Sequence, residues 1–407
     1  MTTLRHNDIW RRDFNISTSL YNDISIRKWR PANIAVAFLL AAVVLTGCGG
    51  SDSFDDEPQN VAEGASPQEI TIKTDITSMQ TRATTIDDDA DLQDYDLKID
   101  AYFHDRETKY LDGTKLHYDS SWKFWDGAAQ LHYYWPIEGS VYNPASDNIT
   151  VSSLDFVGYC PYTTPAYITT GPTYSVSGTP QASFTCTLPM TYDASTSTTA
   201  NQGSDLEEFV WGITVAQNKA NQGATGVTMK FRHPFARLKF QLAASHPNVQ
   251  INTITFKALK TGGTCTLNAT DIADTYYYTT SAWSSLTPAD GTSNLVMTLA
   301  GKDSDGNWVT ADVNTFNSNP ASVVPIGGWD DDTGEHQYVN LLVVPQTFAG
   351  EIEVNASWND WGDTPVAHTV STTITSVTWQ AGYSYTYTFT ITPEDLTVDI
   401  NSYTEQW

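Results

Sequence analysis

Apolar and polar residues alternate with a period of two along much of the chain. The longest run places aromatic or aliphatic side chains at every second position from Tyr383 to Ile391, with Ser and Thr between them. Successive side chains of a β-strand point to opposite faces, so each such run predicts a strand with one buried face. No segment has a convincing helical period of 3.6, and the pattern therefore predicts an all-β protein built of sandwiches. Other alternating runs are Leu97/Ile99/Ala101/Phe103, Leu238/Phe240/Leu242, Ile251/Thr253/Thr255 and Leu295/Met297/Leu299.

The strand-like runs fall into two blocks, each of a length that suits one β-sandwich domain. The first block is rich in Trp and Tyr and ends in a Ser/Thr/Asn/Gly-rich stretch between Leu188 and Gly226. The second begins near Val227 and continues to the end of the chain. The predicted segments are a leader at 1–47, a tether with a first strand at 48–82, an N-terminal sandwich at 83–226, and a C-terminal sandwich at 227–407 whose last strand lies at about 394–407.

The leader has the features of an export signal. The apolar run Ile34–Leu45 follows a basic cluster and has 12 residues. As a helix it would span about 18 Å, which is too short for a bilayer core of about 30 Å. A positive flank, a short apolar core and small residues at its end are typical of a secretory signal peptide. The run ends in Leu-Thr-Gly-Cys48, which resembles a bacterial lipobox, and this resemblance implies that Cys48 is diacylated and anchors the chain to a membrane.

An acidic, Gly- and Ser-rich tether follows Cys48 and leads to a short alternating segment. Ile70, Ile72, Thr74 and Ile76 share one face of this segment and predict a first strand. Arg82 comes next, followed by the small residue Ala83 in a polar stretch. Such a site suits an Arg-specific protease, because exposed polar loops are preferred sites of cleavage. A cut after Arg82 would release the lipid anchor together with the first strand.

The C-terminus has a second segment of similar design, in which Leu396, Val398 and Ile400 point to one face. Two interpretations of these two segments are open on alternation alone. They are either the first and last strands of stable sandwiches, or the first strand is removed and its groove accepts residues 396–400 of a neighbouring subunit. The second interpretation is donor-strand complementation, in which backbone hydrogen bonds supply stability and alternate side chains supply register.

A series of short motifs in a fixed order resembles the fimbrillins, which are pilin and pilus-associated subunits of type V pili in Bacteroides-group bacteria. The resemblance extends from Cys48 to Trp407. The motifs that carry it are Thr81-Arg82-Ala83, Tyr134-Trp135-Pro136, the segments 154–162 (LDFVGYCPY) and 231–240 (FRHPFARLKF), Asp205-Leu206, and the segment 342–347 (LVVPQT).

The resemblance implies two tandem transthyretin-like β-sandwich domains and export as a lipoprotein to the outer membrane and cell surface. It further implies cleavage after Arg82 by an Arg-specific protease and assembly into a fimbria with neighbouring pilus subunits, in support of cell adhesion. The family also includes anchor subunits, which keep their lipid, and tip subunits, which lack a donor strand. The paired segments at Arg82 and 396–400 favour a stalk subunit.

Charge excludes one class of partner. The chain of 407 residues carries 21 Lys and Arg against 47 Asp and Glu, a net charge of -26. Such a surface repels phosphate backbones, so binding to nucleic acid is not expected. The acidity is interpreted as the solvated surface of a fibre.

The sequence offers no cofactor site, metal site or enzyme motif. The run Asp303–Asn307 begins like a calcium loop, but Asn314 stands where the bidentate Glu would be. Cys160 and Cys186 lie on predicted strands that follow each other and could form a disulfide, although buried free thiols are the other interpretation. The alternative function is a surface lipoprotein that binds glycans without polymerising, with Trp122, Trp125 and Trp135 as a stacking platform. Core packing is the other use for these side chains.

Overall fold

The alternating segments of the sequence form β-strands in the computed structural model of the chain, which confirms the all-β class. The structure describes residues 67–76, 86, 89–143, 148–193, 206–222, 226–243, 249–269, 282–288, 291–302, 308–310, 316–317, 323–326, 329–330, 335–336, 338, 340–358, 366–391 and 396–406. The predicted leader, Cys48, Arg82 and Ala83 lie outside these residues.

The described residues form one four-residue helix and a series of strands. In chain order these elements are β1 Ile72–Asp75, α1 Asp89–Leu92, β2 Leu97–Phe103, β3 Lys109–Tyr118, β4 Trp122–Trp125, β5 Val141–Tyr142, β6 Ile149–Thr150, β7 Leu154–Cys160, β8 Ile168–Ser175, β9 Gln181–Thr187, β10 Thr191–Asp193, β11 Val210–Gln217, β12 Val227–Lys230, β13 Ala236–Leu242, β14 Val249–Leu259, β15 Gly262–Asn268, β16 Trp283–Thr287, β17 Ser293–Thr298, β18 Ala300–Lys302, β19 Trp308–Thr310, β20 Phe316–Asn317, β21 Val324–Pro325, β22 Trp329–Asp330, β23 Glu335–His336, β24 Leu341–Val343, β25 Gln346–Phe348, β26 Glu351–Trp358, β27 Val366–Thr373, β28 Val377–Trp379, β29 Tyr383–Ile391 and β30 Leu396–Gln406.

A five-stranded antiparallel sheet in the order β11-β7-β2-β3-β4 separates two apolar cores. Its first face contributes Ile99 and Phe156 to a cluster that also contains residues of β1 and β12, here called the first core. Its second face contributes Val157 and Trp211 to a cluster shared with β9, β15 and β16, here called the second core. Strand β7 is therefore buried at all seven positions, which explains why its sequence reads as a nearly continuous apolar run.

A third core lies among the strands of the C-terminal half. It is built from a six-stranded sheet in the order β10-β17-β14-β26-β27, with β20 paired to β14, and from a sheet in the order β21-β13-β29-β30, with β24 paired to β13. Inward side chains of β13, β14 and β29, such as Phe240, Phe256 and Tyr387, pack in this core. Trp379 stacks on Phe348 with ring centroids 5.0 Å apart and donates its indole N–H to the Tyr387 hydroxyl at 2.9 Å.

Strand pairing crosses the predicted border between residues 226 and 227. Strand β12 follows the border but belongs to the first core, where it pairs with β1. Strands β15 and β16 extend the sheet of β8 and β9, and β10 pairs in parallel with β17. The division of the chain into two tandem sandwiches stays a prediction.

The Cys160–Cys186 disulfide is not formed, because Cys160, Cys186 and Cys265 are all free and buried. The two cysteines lie in different sheets: β9 pairs with β8 and β15, while β7 pairs with β2 and β11. The thiol of Cys160 therefore enters the first core, whereas that of Cys186 enters the second. Burial raises the pKa of the Cys186 thiol to about 12 and raises the pKa values of the other two thiols well above their ordinary value.

We expect these thiols to be inert in the folded protein. At pH 8 burial keeps them protonated and out of reach, and the thiolate is the reactive form. Titration of the chain that begins at Gly49 with a thiol reagent should give no reaction in buffer and three thiols in denaturant. A single thiol in denaturant would mean that two of the cysteines are linked.

Candidate functional site

The segment 70–76, which contains strand β1, has one buried face. The side chains of Ile70, Ile72 and Ile76 are 1%, 5% and 6% exposed and lie in the first core. Thr74, on the same face, is 5% exposed. Thr71 and Lys73 alternate with them and are exposed, so the sequence pattern of this segment matches its burial.

The backbone of this segment is held at both ends. Near its start, Ile70 donates its N–H to the Tyr133 carbonyl at 2.7 Å, and Trp135 donates to the Gln68 carbonyl at 3.0 Å. From residue 72 onward the partner is β12, which runs parallel in the register Ile72 to Val227. β12 is also anchored at both ends, because Val227 donates to the Thr71 carbonyl at 2.8 Å and Phe231 to the Asp75 carbonyl at 2.9 Å. β1 therefore completes the first core as an inserted strand. We call the space that it fills the β1 groove.

Two side chains of the groove make polar contacts with β1. The Gln222 amide oxygen accepts hydrogen bonds from Thr71 N at 3.1 Å and from the Trp135 indole N–H at 2.8 Å. The Gln222 amide nitrogen donates to the Glu69 carbonyl at 3.3 Å. The Gln222 amide group thus does what the backbone of a neighbouring strand would do. It bonds to backbone atoms of Glu69 and Thr71, which are two successive outward positions. The second contact is made by Trp122, whose indole N–H donates to the Thr74 hydroxyl at 2.9 Å.

Two separate anchors lie on either side of Arg82. Before it, Ile76 donates its N–H to the Asp89 carboxylate at 3.2 Å. After it, Ile86 is 1% exposed and donates its N–H to the Glu208 carboxylate at 3.0 Å. Glu208 is itself buried and contacts His233 Nδ1 at 2.7 Å, with the Arg237 guanidinium 3.7 Å away. A bond broken at Arg82 would therefore leave one anchor on each fragment.

Gly226 lies where β12 meets β1. Its φ is +100°, and a Cβ at this position would stand 2.6 Å from the Thr71 carbonyl oxygen. Gly178 has almost the same φ of +97° but no atom within 4 Å of its Cβ position. A comparison of alanine substitutions at these two glycines therefore distinguishes the cost of backbone strain, which both share, from the cost of a clash with the Thr71 carbonyl, which only Gly226 has.

We expect Gly226→Ala to destabilise the full-length chain more than Gly178→Ala does. Both changes force an L side chain to a positive φ, at about 1–2 kcal/mol, but only the first pushes a methyl group into the Thr71 carbonyl. Crowding of this kind costs about 1–3 kcal/mol. Denaturant unfolding of the two variants would measure the difference, and equal losses would contradict close packing of β1 against Gly226.

The predicted donor segment lies in another sheet. Strand β30 forms an antiparallel pair with β29, with Leu396 opposite Ile391, Val398 opposite Phe389 and Ile400 opposite Tyr387. Val398 is half-buried and packs against the third core. In the sheet order β30 stands at the end, beside β29. The structure thus places the two predicted segments in different sheets of the same chain.

Three groups that matter at the β1 groove were missed by sequence reasoning. Gln222 follows a Lys-Ala-Asn stretch without any periodic signal, and Glu208 stands beside a second Glu. Trp122 was assigned to core packing or to a glycan platform. It is 9% exposed and Trp135 is 8% exposed, and their indole N–H groups are both bonded inside the protein. These two side chains are therefore not an exposed stacking surface.

The described residues contain no group of three or more His, Cys, Asp or Glu side chains that could hold a metal ion. In the same part of the chain there is no helix of sufficient length and apolar character to cross a membrane. The candidate site is the β1 groove, which is defined by packing and hydrogen bonds.

Comparison with known proteins identifies the family of the chain. The fimbrillin-like family model matches residues 81–407, and the chain belongs to this family. The match begins next to Arg82 and does not include β1. No curated protein matches the sequence.

Several solved structures are similar to the chain over most of its length. A fimbrial protein from Bacteroides vulgatus is 13% identical, with 82% of this chain and 98% of that chain covered and a TM-score of 0.46. A candidate cell adhesion protein from Bacteroides ovatus is 15% identical, with 84% and 99% covered and a TM-score of 0.42. The tip fimbrial protein Mfa3 from Porphyromonas gingivalis is 8% identical, with 84% and 100% covered and a TM-score of 0.30.

Family membership defines the broad class of the protein. It is a structural, pilin-type subunit of the cell surface and not an enzyme, and it associates with other pilus subunits.

Proposed function

We propose that the chain is a stalk pilin that is exported as a lipoprotein on Cys48, cleaved after Arg82 and polymerised by donor-strand exchange. The observation that carries the proposal is the position of β1. The segment 70–76, which contains β1, precedes Arg82 in the chain, yet it supplies three buried isoleucines to the first core and buries Thr74 on the same face. A cut after Arg82 turns an internal strand into a separate, replaceable one.

Cleavage would separate the two anchors described above. The leaving fragment carries the lipid on Cys48, the tether and β1, which is held only by non-covalent contacts. The remaining chain keeps Ile86 in the first core and its N–H on Glu208. The new N-terminus is therefore fixed to the protein at Ile86, three residues after Ala83. This contact limits how far the new N-terminal residues can reach into the groove.

Loss of β1 would leave a groove with two kinds of unsatisfied surface. Each buried isoleucine contributes about 1.5–3 kcal/mol of apolar burial, and the pockets of Ile70, Ile72 and Ile76 would be open. The backbone N–H groups of Val227 and Phe231 would lose the carbonyls that they now contact. Unpaired strand edges of this kind are templates for strands of other chains. Residues 396–400 of a neighbour have the alternating apolar side chains that such a groove requires.

The donor segment would have to leave its own sheet before it enters a neighbour. Its position supports such a step, because β30 is paired with β29 on one side and ends the sheet. Exchange then replaces the hydrogen bonds to β29 with bonds in the groove, and β1 is the strand that is displaced. In this scheme the outer membrane is a partner only before processing, and the fimbria is the final location.

Mass spectrometry of the N-terminus of surface-extracted protein tests the proposal. A start at Ala83 in polymeric material is the expected result. An acylated Cys48 in all of the surface material would overturn the stalk function, and would favour an anchor subunit or a lipoprotein that binds glycans without polymerising.

A further inference from the structure

The inward face of β1 carries one polar side chain, and this side chain has a specific partner. Among the four inward positions, Thr74 is the third, after Ile70 and Ile72 and before Ile76. Its hydroxyl accepts the hydrogen bond of the Trp122 indole N–H at 2.9 Å. Trp122 lies against the first core and is 9% exposed. A buried N–H without a partner is costly, so any strand in the groove should present an acceptor at this position.

We propose that Trp122 sets the register of the incoming donor strand and that Ser402 of the neighbouring subunit takes the place of Thr74. The inference rests on the proposed function, because it specifies how the donor strand would occupy the β1 groove. Trp122 acts here as a specificity-determining residue, because its indole N–H requires a hydroxyl group as acceptor in a groove that otherwise accepts apolar side chains.

The sequence of the donor segment decides between the registers. In an extended strand without a bulge, one face carries Leu396, Val398, Ile400, Ser402 and Thr404. In β30 the pairing with β29 is irregular between Asn401 and Glu405, so the proposal requires this stretch to become regular in the groove. If Val398 takes the place of Ile70, then Ile400 takes that of Ile72 and Ser402 that of Thr74. This register supplies two β-branched apolar residues for two isoleucine pockets, followed by a hydroxyl opposite the indole N–H.

The neighbouring register and one reversed register leave the indole N–H without an acceptor. A shift by one pair, with Leu396 in the place of Ile70, puts Ile400 opposite Trp122 and Ser402 in the place of Ile76. The reversed direction with Leu396 in the place of Ile76 puts Val398 opposite Trp122. Of the registers that place a hydroxyl opposite Trp122, only the one that begins with Val398 also puts apolar side chains in the pockets of both Ile70 and Ile72.

The remaining contacts of the groove tolerate this register. Gln222 bonds to the backbone of Glu69 and Thr71, and these positions become Thr397 and Asp399 of the neighbour. Backbone atoms are present in every sequence, so Gln222 holds the strand without selecting it. The position of Asp399 corresponds to the exposed Thr71, where a carboxylate can stay in water. Thr404 takes the place of Ile76, which lies one residue past the end of β1.

The first test uses the precursor and does not depend on assembly. In the full-length chain, Thr74→Val should lower the melting temperature, because it removes the acceptor of Trp122. The same change in a Trp122→Phe background should have little further effect, since phenylalanine has no N–H. Additive effects of the two changes on the melting temperature would show that the hydrogen bond from Trp122 to the Thr74 hydroxyl does not stabilise the protein. This result would overturn the proposal.

The second test is a double-mutant cycle across the subunit boundary. Full-length chains with Ser402→Val, Trp122→Phe or both changes are processed and polymerised, and the rate of polymer dissociation is measured on heating in denaturing detergent. We expect Ser402→Val to increase the rate roughly ten-fold, as for a buried donor left unpaired. It should add nothing in the Trp122→Phe background.

The matched control is Thr404→Val, at the next inward position of the same strand. This change should leave the polymer as stable as before or make it more stable, because the position corresponds to an apolar residue of β1. If Ser402→Val instead stabilises the polymer, Ser402 occupies the Ile76 position and the proposed register is wrong. If processed wild-type chains form no polymer, the proposed function itself fails, and the register fails with it.

Discussion

Arg82→Ala is expected to abolish polymer formation and to leave a folded, full-length lipoprotein. The change removes the side chain that an Arg-specific protease recognises, so the chain before Arg82 stays covalently attached and β1 stays in its groove. An intramolecular strand has a much higher effective concentration than a strand from a neighbour. Surface extracts of the mutant should contain monomers with acylated Cys48, and unheated samples should show no ladder in denaturing gels.

Arg106→Ala is a suitable control for this result. Arg106 is exposed in the turn between β2 and β3, whereas Arg232 and Arg237 are 2% and 0% exposed. Loss of an exposed arginine elsewhere should leave processing and polymer length unchanged. Normal fibres from the Arg82→Ala chain would rule out cleavage at this residue as the trigger for assembly.

Val398→Asp is expected to turn the subunit into one that accepts a strand but cannot donate its own. An aspartate at this position would place a charge in an apolar pocket of the neighbour's groove, where burial without a partner is strongly unfavourable. The variant keeps the β1 groove intact, because β30 and β1 belong to different sheets. After cleavage, the variant alone should remain monomeric on size-exclusion chromatography.

An experiment that mixes variant and wild-type subunits distinguishes a subunit that cannot donate its strand from a subunit that does not fold. Val398→Asp subunits added to wild-type subunits should cap growing chains and shorten the ladders in proportion to their fraction. Thr397→Asp is the matched control, since Thr397 is an exposed neighbour on the opposite face of the same strand. Unshortened ladders in the mixture, with a folded variant, would contradict the assignment of β30 as the donor.

Local patterns were sufficient to predict the fold class and the candidate strands. Tyr383–Ile391 and Leu97–Phe103 were predicted from alternation and are β29 and β2. Alternation works here because the period of a strand is fixed at two. It did not predict that β2 lies between two cores, where six of its seven residues are buried. The inward face of β1 was predicted for the same reason, and its four residues are buried.

Sheet neighbours could not be predicted in the same way, because pairing joins segments that are distant in sequence. A disulfide between Cys160 and Cys186 was one of two interpretations of these cysteines, yet their strands, β7 and β9, belong to different sheets. The border at residues 226 and 227 was drawn from composition, but β12 is held by hydrogen bonds to β1, more than 150 residues earlier. Gln222 and Trp122 acquire their roles only through such distant contacts, and neither has a local signature.

The short connection between β12 and β13 has a mechanical consequence for a fibre assembled as proposed. Tension would enter each subunit at the strand bound beside β12 and leave through β30. Between these points the chain passes from β12 through residues 231–235 to β13, and β13 pairs in parallel with β29, which precedes β30. Parallel strands pulled from opposite ends are loaded in shear, so their hydrogen bonds resist force together and do not open one at a time. The second core and most loops lie off this path, and their sequences could therefore diverge among subunits with little loss of tensile strength.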